Sequence, residues 1–218
     1  ENNRFFNEES VRFKVIPNGV LNAVQKNANL FNEENFKEKI NLAIIGRLEP
    51  YKGHEDLIHA ISIIKPDIKS KINLYIIGKT NTSYYKDLKQ IVEFYNLSEL
   101  ITFTDYIDCD INNFIYKFDL VISATRSFEG FGLTIAEALN LSVPVIATKV
   151  GAVPEIFNDN IIQLVNPNSP IELKSAIESF IINPEIFKSN AKRGRKKIKL
   201  ISNNMSAEFK NTFKFSII

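Results

Sequence analysis

Short runs of Ile, Val and Leu recur along this chain, separated by longer stretches with helical spacing, and that alternation limits the possible fold more than any other feature. Strands that are apolar almost throughout must be buried on both faces, as in a parallel sheet covered by helices on both sides. The runs read as strands are Phe13 to Ile16, Asn41 to Ile45, Ile72 to Ile77, Ile101 to Phe103, Leu120 to Ser123, Val143 to Ala147 and Ile161 to Val165. Helices fit the intervals, with apolar faces at Leu57, Ile58, Ile61 and Ile64, at Leu88, Ile91, Val92 and Tyr95, and at Leu173, Ile177 and Ile181. Pro17, Pro66, Pro144, Pro154, Pro167, Pro170 and Pro184 all fall at the edges of these elements, where a missing N–H does least harm. The reading is an α/β fold with a doubly wound parallel sheet.

At 218 residues the chain can enclose one substantial core but not two full nucleotide-binding domains. A net charge of +2 is too small for the strong, clustered field that phosphate-backbone binding needs, so no nucleic-acid partner is expected. Cys109 is the sole cysteine, which rules out an internal disulfide and points to a reducing compartment, the cytoplasm. No stretch approaches the ~18 apolar residues of a membrane span. The opening segment, ENNRFFNEES, is polar and lacks Met, so residues 1–10 read as the remnant of a linker in a longer protein. Asn-x-Ser sequons begin at Asn81, Asn96, Asn140 and Asn204, but in an Asn-rich chain these read as chance.

In an open α/β sheet, ligands bind beyond the carboxyl ends of the strands. The loops there follow Ile45, Ile77, Phe103, Ser123 and Ala147, and three of them carry unusual chemistry. The first is Gly46-Arg47-Leu48-Glu49-Pro50-Tyr51-Lys52-Gly53. Arg47 can offer a planar fork to phosphate oxygens and Lys52 a point charge, although both also suit solvated loop positions. The second is Ser127-Phe128-Glu129-Gly130-Phe131-Gly132-Leu133-Thr134-Ile135-Ala136-Glu137-Ala138-Leu139. Glycines at a helix start leave room for a ligand, and free amides there favour an anion such as a phosphate. Glu129 and Glu137 could each accept two hydroxyls of a sugar or ribose; the alternative is an exposed loop acid and a surface helix acid.

The run EGFGLTIAEAL, with seven residues between two glutamates, resembles the signature of the retaining glycosyltransferases of the GT-B fold, family 4 type, also called glycosyl transferases group 1. Other pieces fall in matching order: VIPNGV, IIGRLEPYKGHEDLIHAI, LYIIG, ITFTDYI and PVIATKVGAVPEIF. The similarity covers about Val11 to Ile181. It implies a Rossmann-like sheet forming the C-terminal, donor-binding half of a two-domain enzyme. Residues 11–197 would form that nucleotide-sugar-binding domain and residues 198–218 a C-terminal helical tail.

The resemblance further implies that Gly46, Arg47 and Lys52 grip the diphosphate, that Glu129 meets the donor sugar and Glu137 the ribose, and that the amides of Gly130, Phe131, Gly132 and Leu133 face the sugar and distal phosphate. The base would lie near Phe103 to Tyr106. Catalysis would rest on Arg47, Lys52 and Glu129 orienting and stabilising charge. No metal or cofactor is implied beyond a nucleoside diphosphate sugar, for instance a UDP-sugar, as substrate. The acceptor site would sit on an N-terminal domain that this chain lacks. A sugar-nucleotide epimerase of the same fold and a non-catalytic nucleotide- or glycan-binding module are the alternative readings.

The chain departs from the family pattern at Leu21, where Asp is usual, at Ser142 and Ala152, where Gly is usual, and over Lys79-Thr80-Asn81-Thr82, which replaces a glycine-rich turn. Other signals are set aside. Gly78-Lys79-Thr80 looks like the tail of a P-loop, but the earlier glycine it needs would fall at Asn73, inside a strand. Asp108-Cys109-Asp110 reads as the cap of the amphipathic stretch Ile111 to Phe118 rather than as a metal site. His54 and His59 are five residues apart, which places them on separate sides of one helix, at the surface. Lys192, Arg193, Arg195, Lys196, Lys197 and Lys199 form a basic stretch of a C-terminal helix, suited to solvent, to the absent domain or to anionic lipid at the inner face of a membrane.

Overall fold

In the computed structural model of the protein the described residues are 39–105 and 112–213. The strand expected at Phe13 to Ile16, Leu21, Tyr106 and Asp108-Cys109-Asp110 lie outside them. Six strands form a single sheet: β1 (Ile40–Ile45), β2 (Ile72–Ile77), β3 (Ile101–Thr104), β4 (Leu120–Ser123), β5 (Val145–Thr148) and β6 (Gln163–Val165). All pairings are parallel, in the order β3-β2-β1-β4-β5-β6. The chain therefore builds from the centre to one edge, returns, and builds to the other, so its direction reverses between β1 and β4.

The helices are α1 (His54–Ser62), α2 (Pro66–Lys69), α3 (Ser83–Phe94), α4 (Asn112–Ile115), α5 (Leu133–Asn140), α6 (Val153–Ile156), α7 (Pro170–Ile182) and α8 (Pro184–Phe213). Alternate residues of each strand feed opposite cores, because the side-chain period of a strand is two. Leu42, Ile44, Leu74, Ile76, Leu120 and Ile122 pack with Leu57, Ile58 and Ile61 of α1, Leu88 and Val92 of α3, and Leu173, Ile177 and Phe180 of α7. Ala43, Tyr75, Ile77, Val121, Val145 and Ala147 pack with Phe114 and Ile115 of α4, Ile135 and Leu139 of α5, and Ala191 and Ile198 of α8. Burying one side chain of Leu or Ile size contributes about 1.5–3 kcal/mol. A polar pair also sits in the register: Asn73 Nδ2 donates to Asn41 Oδ1 at 3.2 Å across β1 and β2.

Prolines act as the sequence suggested: Pro66, Pro170 and Pro184 open helices, where the ring fits the first turn. The strand read at Val143 to Ala147 starts instead at Val145, since Pro144 has no N–H to give, although its carbonyl accepts from Val121 N at 3.0 Å. The basic C-terminal helix is continuous from Pro184 to Phe213, through position 197, and Ile198 is 2% exposed, so the helix belongs to the packed unit at that point.

Two departures from the family pattern have local explanations. Thr82 caps α3 by accepting from Tyr85 N at 3.2 Å, which gives the segment without glycines its own helix signal. Ser142 has φ 62°, a left-handed conformation that a residue with a Cβ adopts at a cost of about 1 kcal/mol relative to glycine. Ser142→Gly should therefore raise stability by about 1 kcal/mol, or roughly 2–4 °C in Tm. Thermal unfolding of the two chains checks this, and a Tm at or below the parent value would contradict it.

Candidate functional site

The reversal between β1 and β4 opens a cleft of about 400 Å³ at the carboxyl ends of these strands. Ile44 and Ile45 of β1 and Ile122 and Ser123 of β4 form its base, and the two chemistry-rich loops form its walls. Gly46, Arg47, Lys52, Glu129, Gly130, Phe131, Gly132 and Leu133 all line it. Glu137 is half-buried further along α5 and is not part of the lining.

The first wall is shaped by a 3-10 turn, Pro50–Lys52, whose opening proline has the φ such a turn needs. Gly53 follows with φ 73°, donates its N–H to Pro50 O at 3.2 Å and starts α1. A Cβ there would overlap the Ala124 carbonyl at the end of β4, so only glycine allows this approach. The turn points Lys52 across the cleft, where Nζ donates to Glu129 Oε2 at 2.8 Å, with 23% and 19% of the two side chains exposed. Arg47 is far more open, at 73%; its Nη2 donates to Tyr51 Oη at 2.6 Å and its Nη1 lies 3.1 Å from Glu49 Oε1. Tyr51 thus has two cations near its ring, Arg47 Cζ 6.0 Å and Lys52 Nζ 5.3 Å from the ring centre.

The second wall leads into α5. Gly132 has φ 77° and starts the helix without a side-chain cap, so the first turn presents backbone N–H groups and the positive end of the dipole. Glu129 reaches back to this point, its Oε1 accepting from Gly132 N at 3.3 Å. The Glu129 backbone is fixed from behind: Ala152 N donates to Glu129 O at 3.0 Å, and Gly151, with φ 53°, packs so closely that a Cβ would overlap that carbonyl. Ala152 stands at φ −81°, a conformation open to any residue, so the usual glycine is not needed there.

Two residues escaped the reading of the sequence, one behind the wall of the site and one in its lining. Arg126 donates in a fork to Asp56 (Nε to Oδ2 2.8 Å, Nη2 to Oδ1 2.9 Å) and to Glu55 Oε2 at 3.0 Å, while its backbone N–H donates to Tyr51 O at 2.7 Å. It joins the second wall to the first turn of α1. The Asp56 carboxylate, more than any other group, pushes the guanidinium pKa up. The available signal was the acid pair Glu55-Asp56, which also reads as ordinary first-turn charge. The other is His54, placed at the surface from its spacing to His59. That placement is corrected for His54: it has no exposed surface and lines the cleft, whereas His59 is exposed and stacks on Tyr95. Spacing along an isolated helix misses the glycine turn that folds the loop over the helix start.

Burial is the main cause that lowers the His54 pKa to about 4; the Lys52 and Arg126 charges add to it, and an approach to the Glu49 backbone offsets it only in part. Among the described residues neither ring nitrogen has a hydrogen-bond partner of normal geometry. The imidazole is therefore neutral near pH 7. Among the described residues no group of three or more His, Cys, Asp or Glu side chains is placed to hold a metal ion, and no helix is long and apolar enough to cross a membrane.

The family model for glycosyl transferases group 1 matches residues 25–198. The chain belongs to that family. It is 31% identical over 182 residues to an uncharacterized glycosyltransferase of Methanocaldococcus jannaschii, covering 83% of this chain and 47% of that protein. An O-antigen biosynthesis glycosyltransferase of Escherichia coli is 25% identical over 159 residues, covering 72% of this chain and 44% of the relative. The chain thus spans about half the length of the curated relatives it matches. The fold agrees with that of Anabaena HepE in complex with UDP and glucose, at a TM-score of 0.72 and 22% identity over 82% of this chain and 50% of the other. The parallel six-stranded sheet with helices on both faces is the GT-B glycosyltransferase architecture.

His54 makes stability depend on pH in a definite direction. Below the ordinary value of 6.5 the unfolded chain gains a proton that the folded chain resists down to about 4, so stability is lost as pH falls through that window. The loss amounts to about 2 kcal/mol at pH 5. Melting curves between pH 7.5 and 5 should fall more steeply for the parent than for His54→Phe, which keeps a ring but cannot titrate; parallel curves would refute the assignment.

Proposed function

We propose that this chain is the C-terminal, donor-binding half of a retaining hexosyltransferase of the family 4 type, moving a sugar from a nucleoside diphosphate sugar to an acceptor hydroxyl in cell-surface glycan synthesis. The observation that carries the reading is the meeting, in one cleft at the sheet's reversal, of Arg47, Lys52, Glu129 and the open amides of α5. Anion-binding groups of three kinds line that cleft together with the Glu129 carboxylate, and a sugar linked to a diphosphate has the matching polarity: negative at one end, hydroxyl-rich at the other.

In this reading Arg47, Lys52 and the amides of Gly130, Phe131, Gly132 and Leu133 stabilise the charge that develops on the departing diphosphate, which is where preorganised donors act most strongly. Glu129 orients the sugar by accepting its hydroxyls. By the family resemblance Glu137, inside α5 and beyond the lining of this cleft, serves the ribose, and the segment around Tyr106 serves the base. The E. coli relative's role in O-antigen biosynthesis supports a glycan acceptor, and the UDP and glucose in HepE support a UDP-sugar.

The acceptor site and the facing half of a complete active site belong to an N-terminal domain, consistent with a chain that spans about half of its relatives. The exposed Lys192, Arg195, Lys196 and Lys199 on α8 suit peripheral contact with the inner face of a membrane from the cytoplasm.

Calorimetry with UDP and GDP tests the proposal. One of them should bind the parent, and Arg47→Ala combined with Lys52→Ala should weaken that binding at least about tenfold, since each cation removed takes a charge-assisted hydrogen bond with it. Undiminished binding by the double variant would overturn the clamp, and sugar transfer by the 218-residue chain alone would overturn the half-site reading.

A further inference from the structure

The same carboxylate that would receive the sugar is bonded to the groups that would receive the phosphate. Glu129 Oε2 accepts from Lys52 Nζ at 2.8 Å and Oε1 from Gly132 N at 3.3 Å, so one side chain spans the ammonium and the helix-start amide. Its backbone is held by Ala152 N and by the close pack of Gly151, which leaves the side chain as the part that exchanges partners.

From this we infer that Glu129 is a competitor for the phosphate site, one that discriminates a sugar-bearing nucleoside diphosphate from the sugar-free one. The inference rests on the proposed donor reading. A terminal phosphate needs Lys52 and the Gly132 N–H, and to obtain them it must displace Glu129. When the phosphate carries a sugar, hydroxyls of that sugar give the carboxylate new donors as it leaves Lys52.

A bare nucleoside diphosphate offers no such hydroxyl. Its terminal phosphate also has a second ionisation near pH 6, so at pH 7.5 it brings an additional negative charge close to the Glu129 carboxylate. Lys52 and Arg47 attract that charge whether or not Glu129 is present, so the repulsion from Glu129 is the part that a Glu129 variant removes, and an affinity difference of about tenfold is the scale to expect. Once the sugar has been transferred, Glu129 loses its hydroxyl partners, returns to Lys52 and Gly132 N–H, and promotes departure of the nucleotide. The exchange requires no change in the backbone.

Calorimetry at pH 7.5 with UDP or GDP, whichever binds the parent, and with its glucose conjugate provides the test. Glu129→Gln keeps the size and an acceptor for Gly132 N–H, and Glu129→Ala provides a second variant should the first misfold. Each folded variant should bind the bare diphosphate about tenfold more tightly than the parent, while binding of the glucose conjugate stays equal or weakens. Diphosphate affinity that is unchanged or reduced in a folded variant overturns the inference and leaves the donor reading standing. Failure of the parent and both variants to bind either nucleotide overturns the donor reading, and this inference with it.

Discussion

The site depends on one seam, where the loop after β1 rests on the loop after β4. Gly53 touches the Ala124 carbonyl, Tyr51 O accepts from Arg126 N at 2.7 Å, and Lys52 meets Glu129 at 2.8 Å. The first two are backbone contacts, which set position more tightly than side-chain contacts because they leave no rotamer freedom. The seam lies at the strand reversal, where the helices following β1 and β4 lie on opposite faces of the sheet and leave a crevice between them.

Charge in the cleft is sorted by partner. Arg126 is the most strongly engaged cation, bound by Asp56 and Glu55 behind the wall, and serves to hold the second loop onto α1. Lys52 is shared with Glu129. Arg47 projects furthest into solvent, held by Tyr51 and Glu49 at its own loop. Beside this set sits His54, kept uncharged by burial, so the region under the loop adds no positive charge near neutral pH. The anion-binding character thus comes from residues at the rim and from backbone amides, while the deeper groups are neutral or paired.

Much of the architecture was legible because a buried parallel strand has a distinctive composition. Ile72–Ile77 and Leu120–Ser123 were read with the bounds the structure shows, since both are apolar runs ended by Gly78 and by a polar loop. The chemistry-bearing loops were legible because Arg, Lys and Glu are gathered beside glycines directly after buried apolar strands. His54 was misread because its burial depends on the turn at Gly53, and Arg126 was overlooked because its partners lie 70 and 71 residues away. Glu137 shows the reverse case: its spacing from Glu129 is plain in the sequence, yet the helix carries it off the lining of the cleft.

Local sequence determined what local physics can decide: which segments form strands, where prolines and Thr82 start helices, and which two loops hold groups able to bind an anion. The tertiary structure alone decided that these loops touch, that Lys52 is bonded to Glu129, that Arg126 is a staple and that His54 is enclosed. The reason is the crossover topology: β1 and β4 are neighbours in the sheet but distant in the chain, with register pairs such as Leu42 and Leu120, and no periodicity or propensity within either segment encodes that juxtaposition.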